Sequence, residues 1–235
     1  MRYLAPEERK DNQEVEEYLG NYISQSIKHN FSLKTLQKYQ PDKTAKILDA
    51  GCASGAFLKQ LAEDGYQNLY GVDLDNYVGK GIQLKDFKKA DFNMSALPYP
   101  DNYFDAITAW CVLTHLENPY HFIREIKRIL KEGGVFIATL PHIGSKAEKQ
   151  NFYRKGEFIA YKPNNDHITI WTPSLLEKTT SPYFEKIGEE FLLKNKIFKG
   201  FKGLIRRWYY KLNPTIANQW GSKIAYILQK KKNPF

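Results

Sequence analysis

The chain predicts an α/β fold built on a doubly wound, mostly parallel sheet, and three observations carry that expectation. From Lys46 to Phe57 the sequence reads as a short buried strand, an acid at its carboxyl end (Asp49), and a tight turn with glycines four apart (Gly51, Gly55) that feeds a helix. A second strand, Leu69 to Val72, ends on Asp73, the position where the ribose of a bound nucleoside lies in such a sheet. Strand-length apolar runs then alternate with helical patterns, an arrangement that buries a parallel sheet under helices on both faces.

The elements follow in order. Residues 7–39 are helix-like, with Val15, Leu19, Tyr22, Ile23 and Ile27 near helical spacing, and Pro41 ends the region. Strands are expected near 46–50, 68–73, 87–90, 104–109 and 134–140, with helices near 55–64, 76–84 and 118–131. Residues 184–193 and 223–230 supply the last two strands. No internal repeat and no linker divides the chain, and its 235 residues with 42% hydrophobic content suffice for one substantial core.

The spacing of the glycine turn restricts the ligand. A dinucleotide fingerprint needs glycine at the first, third and sixth turn positions, and Gly51, Ala53 and Ala56 fill one of the three. No phosphate-binding lysine follows the turn, so a nucleoside triphosphate loop is excluded as well. What survives is acid-x-Gly-x-x-x-Gly followed by an acid ending the next strand. Small residues there let backbone approach a ligand that a side chain would hold off.

This pattern resembles the class I S-adenosylmethionine-dependent methyltransferases, whose cofactor carries no phosphate. Ala90 to Asn93, the run Leu97 to Asp105, then Val112 to Leu116, and finally Arg128 to Gly134 also look like this family, in its usual order. Lys46 to Leu140 is covered, and Ala53 departs from the pattern where the family usually has a third glycine. The resemblance implies a Rossmann-like, seven-stranded, mostly parallel sheet flanked by helices, completed by an antiparallel last strand. It divides a single domain into an N-terminal helical region (1–41), a cofactor-binding half (42–140), a lid or substrate loop (141–172) and a basic aromatic insertion (194–221).

The same resemblance assigns cofactor contacts for S-adenosyl-L-methionine. Gly51, Cys52, Ala53 and Gly55 would let backbone groups approach the methionine and adenosine parts, with Asp49 near the positively charged end. Asp73 would accept both ribose hydroxyls, a bidentate role that an ionised carboxylate suits. Leu74 would flank the adenine, Asp91 would accept from its amino group and Phe92 would offer a backbone amide. Ala109 and Trp110 follow the fourth strand, at the switch point where the transferred methyl emerges.

Methyl transfer from a sulfonium demands alignment of the acceptor, and an oxygen acceptor also needs a base. The candidates are His115, in the Val112 to Leu116 motif; His142, directly after Pro141 at the end of the fifth strand; and His167. The last stands in a stretch, Asp166 to Ser174, that resembles the "His, then aromatic-Thr-x-x-Leu" region before the substrate-side helix of small-molecule members. Residues 141–172, with Tyr153, Arg154, Lys155, Phe158 and Tyr161, are expected to form a lid over the acceptor. No metal ligand set is expected.

Charge and composition address the partners. Residues 1–193 hold 24 Lys plus Arg against 26 Asp plus Glu, whereas residues 194–235 hold 11 basic residues and no acid. Phe198, Phe201, Trp208, Tyr209, Tyr210 and Trp220 interleave with that basic run, a pattern suited to phosphates, nucleic acid or an anionic membrane surface. The His-to-Thr region, the basic aromatic insertion from Asn195 to Gly221 and the closing stretch Ile224 to Lys230 resemble methyltransferases of bacterial sugar and surface-polysaccharide synthesis, and that resemblance implies a small-molecule acceptor of the sugar type, phosphorylated or lipid-linked. An RNA methyltransferase is the rival, though no Asn-Pro-Pro-Tyr-type motif follows the fourth strand; a non-catalytic cofactor-binding protein is the rival of another class. Cys52 and Cys111 read as small buried apolar residues. With no signal-peptide core at the start and no apolar run of membrane-spanning length, the expected location is cytoplasmic, with the membrane surface as a peripheral site.

Overall fold

The computed structural model describes residues 30–163, 166–193 and 217–232. Helix α1 (Phe31–Tyr39) leads into β1 (Lys46–Ala50), α2 (Ala56–Glu63), β2 (Asn68–Asp73), β3 (Asp86–Lys89) and β4 (Phe104–Trp110). A 3-10 turn (Leu113–His115), α3 (Pro119–Ile129), β5 (Leu130–Pro141), α4 (Lys146–Lys155), α5 (Pro173–Thr180), β6 (Phe184–Leu193), a helical turn (Ala217–Trp220) and β7 (Gly221–Lys230) complete it. The seven strands form one sheet in the order β3-β2-β1-β4-β5-β7-β6, with β7 antiparallel to both neighbours. The sheet is therefore the one expected, and its antiparallel member is β7.

Alternating side chains send the two faces of each strand into separate cores. Leu48, Val72, Ile107 and Phe136 face one way, under Phe122, Ile123, Ile126 and Ile129 of α3. Ile47, Leu69, Ala106 and Ile137 face the other, under Leu36 of α1 and Phe57, Leu58 and Leu61 of α2. Helix α3 starts on Asn118, whose side chain accepts from the His121 amide at 3.2 Å, with Pro119 at its first turn. Its four buried apolar side chains are fully inaccessible, each worth about 1.5–3 kcal/mol. Arg128, at the end of α3, ties down the connection before β4 by donating to the carbonyls of Leu97 and Tyr99 at 2.7 and 2.8 Å.

Four expectations change. No helix forms over 76–84: the Asp75 and Asn76 side chains accept from the amides of Asn76 and Val78, and Gly81 takes a left-handed φ of 85°. Short polar side chains compete here for the backbone that a helix needs. The segment instead folds over the glycine turn, with Gly79 donating to the Ser54 carbonyl at 3.1 Å. Strand β3 starts one residue early, and β5 starts at Leu130, which pairs with Phe104 ahead of a register shift. The loop 141–172 contains helix α4, capped by Ser145 and closed by Gly156 in the left-handed region. Of the N-terminal helical expectation, α1 is described; Val15, Leu19, Tyr22, Ile23 and Ile27 lie outside the described residues.

Candidate active site

Strand β1 pairs with β2 on one side and β4 on the other, and the chain leaves these strands toward opposite faces of the sheet. The carboxyl ends of the three strands thus open a crevice, the place where α/β sheets bind ligands. Gly51 enters the turn with φ 76° and donates to the Val72 carbonyl at 2.8 Å. A Cβ on Gly51 would stand 2.5 Å from Val112 Cγ2 at a φ that L side chains rarely adopt, so any other residue must displace Val112 and strain the turn. Ala53 also adopts a left-handed φ, 47°, which explains why glycine suits that position. Gly55 donates to the Cys52 carbonyl at 2.8 Å and opens α2.

Two backbone amides hold the Asp73 carboxylate over this turn: Ala53 N donates to Oδ2 and Leu74 N to Oδ1, both at 2.7 Å. A carboxylate offers about four acceptor positions, so both oxygens can also receive hydroxyls. Asp91, half-buried at the end of the next strand, accepts from the Asn93 amide at 2.9 Å. Phe92 is buried and packs on Phe122 at 4.9 Å between ring centres. Leu74 is half-buried, and Ala109 and Trp110 are buried at the end of β4.

Asp49 lies beneath the crevice, 2% exposed, with Thr108 Oγ1 donating to it at 2.7 Å. Burial pushes its carboxyl up to about 7, the Asp73 charge adds to the rise, and the Thr108 hydroxyl opposes it. A cation arriving beside Asp49 would reverse the balance. Cys52 is buried too, and its thiol is pushed up by that burial and by Asp49 and Asp73, in keeping with an unreactive small residue.

On the β4–β5 side, His115 and His167 come together, with ring centres 4.8 Å apart. The Nδ1 of His115 lies 3.1 Å from the Asp166 carbonyl and 3.3 Å from its carboxylate. Burial lowers the His115 pKa, favouring the neutral imidazole, and the neighbouring Asp166 opposes that. His142 is elsewhere: it is buried against Phe191 of β6, and its Nε2 hydrogen bonds to the Asn218 carbonyl. The sequence offers Tyr161 only as a lid residue, and Asp166 and Lys223 carry no sequence-derived role. The ring of Tyr161 is 5.5 Å from that of His167, and Lys223 Nζ is 2.8 Å from Cys111 Sγ just past β4. The Ser145-to-Glu148 spacing was the legible sign of α4, and the Glu148 carboxylate accepts from the amides of Ile159 and Ala160, fixing the chain that follows the helix.

The chain matches the family profile of a methyltransferase domain over residues 48–138. It is 31% identical over 197 residues to cycloartenol-C-24-methyltransferase of Arabidopsis thaliana, covering 77% of this chain and 56% of that protein. The chain thus spans little more than half the length of that relative. Among solved structures, a putative methyltransferase of Bacillus halodurans superposes with a TM-score of 0.60 at 17% identity, over 86% of this chain and 98% of that one. The [4+2]-cyclase SpnF gives the same TM-score at 20% identity, over 87% of this chain and 82% of its own, so the fold alone does not fix a reaction. The glycine turn, the pinned Asp73 and the strand order fit S-adenosylmethionine, and the chain belongs to the class I S-adenosylmethionine-dependent methyltransferases.

Proposed function

We propose that the protein transfers the methyl group of S-adenosylmethionine to a small-molecule acceptor, at an oxygen atom. The observation that carries this reading is the Asp73 carboxylate fixed by two backbone amides above a turn where a side chain on Gly51 would clash with Val112. When bound, S-adenosylmethionine supplies a methyl group already activated on a sulfonium. Asp73 would take the ribose hydroxyls, Asp91 and the Phe92 amide the adenine edge, and Leu74 its face. Gly51, Cys52, Ala53 and Gly55 would line the rest, Asp49 would face the cationic end, and Ala109 and Trp110 would flank the methyl.

The acceptor would enter under the lid. An open cleft of about 700 Å³ is bordered by Ile143, Phe152, Phe158 and Pro173, which suits an apolar body such as a lipid or a sterol-like ring. The His115–Asp166–His167 group would engage the acceptor oxygen. His142 is dropped from that role, because its Nε2 is committed to a backbone carbonyl and its ring is buried. A phosphorylated or lipid-linked sugar combines an apolar and an anionic part, and the basic aromatic insertion 194–221 would complement the latter, at a membrane surface or in solution; its residues 194–216 lie outside the described residues.

Production of S-adenosylhomocysteine with a panel of sugar nucleotides, lipid-linked sugars, sterols and RNA tests the reading. Turnover confined to RNA would contradict it. Asp73→Ala removes charge-assisted hydrogen bonds worth about 1.5–3 kcal/mol, so cofactor affinity by calorimetry is expected to fall at least about tenfold. Unchanged affinity would remove Asp73 from the site.

A further inference from the structure

We propose that His115, Asp166 and His167 bind a divalent transition-metal ion of the zinc, cobalt, iron(II) or manganese kind. One ligating atom from each residue lies within 4.8 Å of the other two, on side chains that are all partly exposed. The Nδ1 of His167 lies 2.6 Å from the Ala160 carbonyl and that of His115 lies 3.1 Å from the Asp166 carbonyl. A carbonyl only accepts, so each Nδ1 carries the proton and Nε2 would be the ligating nitrogen; the Asp166 carboxylate, 3.3 Å from His115 Nδ1 in the metal-free chain, would turn to the ion. Fixing the tautomer through a backbone oxygen is how proteins prepare a histidine ligand.

The two ligand-bearing segments are also locked to each other. The Thr114 carbonyl receives the Ile168 and Thr169 amides at 2.8 and 3.1 Å, and Thr169 Oγ1 donates to the Leu116 carbonyl at 2.6 Å. Trp171, 2% exposed, buttresses the same turn by donating to the Leu113 carbonyl at 3.4 Å. A 3-10 turn and an irregular segment far apart in sequence are thereby held in one geometry, the rigid support a metal site requires.

Two imidazoles and one carboxylate select a transition metal over magnesium or calcium, which prefer all-oxygen shells. Bond lengths of about 2.0–2.2 Å bring ligand atoms to roughly 3.4 Å from one another, so binding closes the group by about an ångström. Three protein ligands leave positions for water or an acceptor oxygen. Use of the ion in methyl transfer rests on the function proposed above; its binding does not.

The test titrates untagged, chelator-treated protein with zinc(II) and cobalt(II) by calorimetry, and measures S-adenosylhomocysteine binding in parallel. One ion per chain is expected, with affinity lowered at least tenfold in His167→Ala and in Asp166→Ala and unchanged in His121→Ala. Absence of a stoichiometric ion in the wild type, or its retention in both variants, overturns the proposal. If either variant fails to fold, the visible absorption of cobalt(II) bound to the wild type decides, and a spectrum no different from that of the hydrated ion overturns it. Loss of S-adenosylhomocysteine binding with the ion retained would count against the methyltransferase reading and leave the metal site standing.

Discussion

Gly51→Ala is expected to abolish measurable cofactor binding and to destabilise the fold. A Cβ at this position meets Val112 Cγ2 at 2.5 Å, and the φ of 76° penalises any L side chain. The left-handed backbone costs about 1–2 kcal/mol and the overpacking about 1–3 more. Two further variants separate these contributions. Gly51→Ala/Val112→Ala relieves the clash and recovers that part of the stability, less the cost of truncating Val112. Gly65→Ala carries the same backbone penalty, at φ 92°, with nothing within 4 Å, and is expected to lower the melting temperature without touching cofactor affinity. Equal cofactor affinity in Gly51→Ala and wild type, measured by calorimetry, would place the ligand elsewhere.

Asp49→Asn is expected to separate stability from binding. The folded-state pKa of Asp49 is raised from 3.8 to about 7, chiefly by burial. A raised acid contributes its stability below the unfolded value and loses it as pH rises through the folded one, so the wild type without cofactor weakens between about pH 4 and pH 7 from this group. Asparagine removes that slope. At pH 8 the variant is expected to melt higher than the wild type without cofactor, because an ionised carboxylate is no longer buried. It is also expected to bind S-adenosylmethionine about tenfold or more weakly, having lost a charge partner for the cation. Calorimetry in buffers of different ionisation enthalpy checks the linkage: near pH 6 the wild type releases a proton on binding and the variant releases less. Identical pH profiles of stability would contradict the burial argument.

The cofactor half was legible because its determinants are local. Asp49, Gly51, Gly55 and Asp73 are spaced by the geometry of one strand-turn-helix unit and its neighbour, and sheet register carries them to one edge. The false helix over 76–84 arose because apolar Val78 and Ile82 mimic a helical face while they pack around Gly55, within 3.2 Å of where its Cβ would stand. Pairing of His115 with Asp166 and His167 was not legible, since it depends on 51 residues of chain returning to the 3-10 turn through tertiary hydrogen bonds. For His142 the place after β5 was legible, whereas its carbonyl partner, from the helical turn at Asn218, was not.

The most direct test of the central claim is calorimetric titration of the wild-type chain with S-adenosylmethionine, S-adenosylhomocysteine and NAD, at pH 8 where Asp49 is ionised. One site per chain is predicted for each adenosyl ligand, with Asp73→Ala weakening both and NAD giving no heat. Saturable binding of NAD with neither adenosyl ligand bound would contradict the account.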